Sequence, residues 1–122
     1  MEQRASIPES IPAFFLLDPF DDNAHAHLNL SYPFWIKPVK SFSSYLAFKV
    51  ACREDLEKAL SVIRENIHTV AEPFDALLNH LSFDMPHDIR DVSSYSCLIE
   101  SVLSGHQCTL EGCMKDGVFY AY

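Results

Sequence analysis

The sequence predicts an α+β domain built on a mainly antiparallel sheet, and three observations predict it. Arg53 to His68 carries apolar residues at three- and four-residue spacing, the period of a helix with one buried stripe. Several short apolar or alternating runs lie on either side, at lengths suited to strands. Clusters of turn formers separate those runs closely enough for hairpins. At 122 residues the chain is the size of one domain and can bury a core without disulfide or metal staples.

Residues 1–12 read as a loose N-terminal arm with Pro8 and Pro12 among polar residues, and 13–122 as the domain. Ala13 to Leu17 is continuously apolar and suits a strand covered on both faces. Asp18-Pro19-Phe20-Asp21-Asp22-Asn23 is a turn leading to the next run, Ala24 to Trp35. On a strand there, His27, Asn29 and Ser31 would share one side and Leu28, Leu30 and Tyr32 the other. Pro33 closes that strand or places it at an edge. Tyr45 to Ala51 is a third strand.

In the long helix Leu56, Ala59, Leu60, Ile63 and Ile67 form the stripe. Glu54 and Asp55 stand in the first turn and His68 in the last, as the helix dipole favours. Glu54 and Lys58 can pair at i,i+4. Pro73 starts another strand, Phe74 to Phe83, on which His80 and Ser82 share a face. Ser93 or Ser94 caps a short second helix through Tyr95, Leu98, Ile99, Val102 and Leu103, stopped by Gly105. Asp116-Gly117 turns a terminal hairpin.

Composition bounds the function. The 9 Lys+Arg against 17 Asp+Glu give a net charge of −8, which argues against a broad nucleic-acid surface while leaving room for a small phosphate-bearing ligand in one pocket. The run Ile11 to Leu17 is too short to span a bilayer, so no membrane is expected. Four cysteines without a Cys-x2-Cys pair suit a reduced cytoplasmic setting with free thiols, and give no support to a zinc site. With glycine only at 105, 112 and 117, neither a Gly-rich phosphate loop nor a Gly-x-Ser-x-Gly elbow is present. Tyr32, Phe34 and Trp35 could stack a base, although aromatic residues at a strand end more often belong to a core.

His27-Leu28-Asn29-Leu30-Ser31-Tyr32-Pro33-Phe34 resembles the first signature of the two-histidine phosphoesterases, the 2′-5′ RNA ligase-like superfamily. The following order of strand, amphipathic helix and Phe-led strand is similar too. The resemblance implies a metal-independent phosphoesterase without cofactor, acting on an RNA-type phosphodiester or cyclic phosphate of a nucleotide or RNA end. His27 and His80 would be the acid–base pair, since an imidazole titrates near neutral pH. Asn29, Ser82 and Tyr32 would contact the substrate, with Asn29 where the family has Thr or Ser. His106 is the alternative second histidine. The rival reading is a non-catalytic acidic module, a truncated relative binding a basic protein partner.

Overall fold

The computed structural model describes residues 11–80, 92–106 and 108–121. The expected N-terminal arm, for its first ten residues, lies outside them. Among the described residues, six strands and two α-helices follow in the order β1 (Phe14–Leu17), β2 (Phe34–Pro38), β3 (Phe48–Val50), α1 (Arg53–Asn66), α2 (His68–His80), β4 (Cys97–Ser101), β5 (Gly112–Lys115) and β6 (Val118–Ala121). Four of the strands form a sheet in the order β1-β4-β2-β3, antiparallel at every pairing, and β5 and β6 form a separate hairpin. The α+β class with a mainly antiparallel sheet is therefore the observed one.

The sheet is two-faced. Register places Phe34, Ile36 and Pro38 on the same side as Val50, Phe48, Ile99, Cys97 and Leu17. Most of these are fully buried, against Leu56, Ala59, Leu60, Ile63 and Ile67 of the helical stripe. All five stripe residues are in the core, as their spacing requires. The opposite face carries Phe14, Leu16, Leu98, Glu100, Trp35, Lys37 and Lys49, with Phe14, Leu16 and Trp35 well exposed. β1 is therefore covered on one side only, which corrects the expectation of a strand buried on both.

α1 begins where the sequence predicts. Asp55 reaches back to accept the backbone N–H of Ala51 at 3.1 Å, which ties down the chain entering the helix. An i,i+4 pair forms between Arg53 and Glu57 at 3.1 Å, a different pair from the expected Glu54 and Lys58. The helix ends at Asn66, so His68 opens α2 rather than closing α1.

Three assignments are corrected. Ala24–His27 is a single 3-10 turn, and the strand starts only at Phe34, after Pro33 instead of before it. Asp18 and Asp21 fold this stretch locally, accepting the backbone N–H of Phe20 at 2.9 Å and of Asn23 at 2.8 Å. His68–His80 is helical with Pro73 inside it, in place of a strand beginning at Pro73. The segment read as a second helix from Ser93 holds β4, the central partner of β1 and β2. Ser93 turns the chain instead of capping a helix, its hydroxyl accepting the Tyr95 N–H and its carbonyl the Ser96 N–H.

Candidate functional site

The predicted histidines stand on other elements than expected. His27 lies at the end of the 3-10 turn, exposed, with Nδ1 2.8 Å from Asp21 Oδ2. Its neighbour His25 places Nε2 3.9 Å from Glu57 of α1. Asn29 is exposed in the irregular stretch that follows, so His27 and Asn29 do not stand together on a strand face. Tyr32 is exposed and stacks on the buried Phe34 at 5.0 Å between ring centroids; partial desolvation raises its hydroxyl pKa, with the negative charge of an ionised Cys52 adding to it. His80 is exposed in the last turn of α2, and Ser82 lies outside the described residues. His80 itself is helical rather than on a strand, and its expected pairing with Ser82 falls outside the described residues.

A different group of residues converges on the outward face of the sheet. Lys37 Nζ sits 2.7 Å from Glu100 Oε1, both side chains half-buried. The pair is diagonal: Lys37 is opposite Leu98, and Glu100 is opposite Trp35. Around it stand the exposed apolar side chains Phe14, Leu16 and Trp35. Two clefts flank the pair. One, of about 590 Å³, is lined by Trp35, Glu100, Ser101, Leu103, Ser104 and His106. The other, of about 270 Å³, is lined by Lys37, Ser41, Phe42, Ser43, Ser44 and Ala47.

The second cleft owes its shape to the β2–β3 loop. Ser43, Ser44 and Leu46 have positive φ angles of 49°, 57° and 58°, a left-handed backbone in which non-glycine residues are uncommon. Leu46 is buried and anchors the loop to the core. Ser43 and Ser44 consequently stand exposed beside Lys37, as hydroxyls able to donate to an anion.

Charge distribution marks the same segment. From Asn23 to Cys52 the chain has no Asp or Glu, yet Lys37, Lys40 and Lys49 all fall within it, in a chain of net charge −8. That carboxylate-free stretch is the sequence signal for this site, and average composition hides it. His106, the alternative second histidine, is brought to the first cleft beside Trp35 and Glu100. His27 and His80 line neither of these two clefts.

All four cysteines are free thiols. Burial pushes the Cys97 thiol up to about 12, with the Asp18 carboxylate adding to the shift. Among the described residues no group of three or more His, Cys, Asp or Glu side chains is placed to hold a metal, and no helix is long and apolar enough to cross a membrane.

No protein-family model matches the chain, and no curated protein matches it. A solved structure is similar: the D-alanine–D-alanine ligase of Helicobacter pylori, at 18% identity and a TM-score of 0.52. The match covers 98% of this chain and 30% of the ligase chain. The likeness is one of fold, and the chain spans under a third of that protein's length.

Proposed function

We propose that the domain binds a nucleotide across the outward face of its sheet. The observation that carries this reading is the Lys37–Glu100 pair, set among exposed apolar side chains between two clefts. A charged pair within an apolar face offers one cationic donor and one anionic acceptor a few ångströms apart. Its natural ligand has an anionic group for Lys37, a hydroxyl or amino donor for Glu100, and a flat apolar body for Trp35. A nucleoside di- or triphosphate has all three. The phosphates lie toward Lys37, Ser43 and Ser44, where hydroxyl and ammonium donors meet charged oxygens without a competing carboxylate on the loop. The base and ribose lie toward Trp35, Leu103 and His106, where aromatic stacking contributes about 1–3 kcal/mol.

The reading agrees with a chain too acidic for a broad nucleic-acid surface that still holds one phosphate group locally. A reducing, cytoplasmic setting fits its four free thiols. Calorimetric titration with ADP tests it: Lys37→Met should weaken binding at least tenfold. Equal affinity in the variant, or no heat with the parent chain, defeats the proposal.

One observation favours a second reading, the phosphoesterase. Asp21 holds Nδ1 of His27 at 2.8 Å and leaves Nε2 to the exposed side, the orientation in which a carboxylate supports an acid–base imidazole. On this reading 2′,3′-cyclic nucleotide turnover falls at least a hundredfold in His27→Ala. An inactive parent chain removes it.

A further inference from the structure

The β2–β3 loop is fastened to helix α2 near both ends. At its start, Lys40 Nζ lies 4.8 Å from the centre of the Phe74 ring, over its face. Toward its end, the Tyr45 hydroxyl is 3.5 Å from Thr69 Oγ1. Thr69 donates its own proton to the Asn66 carbonyl at 2.7 Å, so Tyr45 is the donor of the longer contact. Phe42 stacks on Tyr45 at 6.3 Å with rings 18° apart, and Ser41 donates to the Tyr45 carbonyl, tying the loop to itself. Ser43 and Ser44, with their left-handed backbones, stand between the two fastenings.

We infer that α2 positions the ligand loop: Phe74 and Thr69 hold the serine-bearing segment in its binding shape through Lys40 and Tyr45, without touching the ligand. The inference rests on the nucleotide reading for its functional consequence, though the fastening is a property of the loop itself. Cation–π attraction at an exposed site is modest, and so is a 3.5 Å contact. Their effect is on the loop's freedom, whose loss on binding is otherwise set against affinity. Position 74 reports it most cleanly. Phe74 is over one-third exposed, so Phe74→Leu removes the ring's attraction for Lys40 while sparing the core, and Phe74→Tyr keeps it.

The experiment measures amide hydrogen exchange of residues 40–47 and ADP affinity on the whole chain and both variants. Phe74→Leu should raise loop exchange at least threefold and weaken ADP about threefold, with exchange in β4 unchanged. Phe74→Tyr should restore both. Loop exchange unaltered in Phe74→Leu, or altered equally in Phe74→Tyr, overturns the positioning role. Raised exchange in Phe74→Leu with no ADP binding by the parent chain upholds the fastening and removes the nucleotide reading alone.

Discussion

Lys37 and Glu100 face each other diagonally across β2 and β4, joined at 2.7 Å on the side of the sheet that the helices leave open. The two half-buried charges share a surface with Trp35, Phe14 and Leu16, where apolar residues alone would cover the strands at lower desolvation cost. On the proposed reading the pair serves a ligand on this face, and the cross-strand ion pair itself also steadies the sheet.

Removing one partner should cost more than removing both. Lys37→Met leaves the Glu100 carboxylate without its ion-pair partner, at a stability cost on the order of 1 kcal/mol after solvent screening. The double variant Lys37→Met with Glu100→Gln should recover part of that cost. Urea unfolding of the four members of the cycle checks it, and strictly additive values would show that the pair is not coupled.

The helical stripe carries the core. Ile63 of α1 is completely buried in the core that the helix shares with the sheet. Ile63→Ala should lower the unfolding free energy by about 2–5 kcal/mol, the range for emptying a well-packed site. A loss below about 1 kcal/mol would mean the stripe does not seat on Phe34, Ile36 and Ile99 as described.

Cys97 makes stability pH-dependent in the alkaline range. Its folded-state pKa is raised to about 12, while the unfolded thiol titrates near the ordinary value of about 8.5. Between the two the unfolded state loses a proton that the folded state keeps. The contribution is therefore complete below about pH 8.5 and is lost as pH rises, at up to about 1.4 kcal/mol per pH unit. Cys97→Val should show a shallower decline in melting temperature from pH 8.5 to 11 than the parent. Parallel curves would contradict the burial of this thiol.

The same burial orders the thiols by reactivity. Cys108 and Cys113 are exposed and Cys97 is not. A disulfide reagent at pH 8 should label the two exposed cysteines promptly and Cys97 only on unfolding. Rapid labelling of Cys97 in the native chain would place β4 at the surface.

Where one period dominated, the fold was legible. Leu56, Ala59, Leu60, Ile63 and Ile67 admit only a helix, and the terminal hairpin follows from Asp116-Gly117, both at positive φ. Reading failed where local punctuation competed with period. Pro73 suggested a strand start, yet Val70, Ala71, Phe74, Leu77 and Leu78 keep helical spacing through it, and α2 tolerates the lost hydrogen bond. Tyr95 to Leu103 fits either template, and Cys97 and Ile99, buried alternately, decide for a strand only once β1 and β2 flank it. The alternation Ala-His-Ala-His was too short to outweigh the Asx turns at Asp18 and Asp21. The candidate site was half visible. Trp35 and Lys37 lie in order along the chain, but Glu100 joins them only through antiparallel pairing across more than sixty residues.

The most direct test maps ADP onto the isotopically labelled chain by amide chemical shifts. Saturable shifts should fall on Trp35 to Lys37, Ser41 to Ala47 and Glu100 to His106, and vanish in Lys37→Met. Shifts confined to Asp21 to Asn29, or none at millimolar ADP, would contradict a nucleotide on the open face of the sheet.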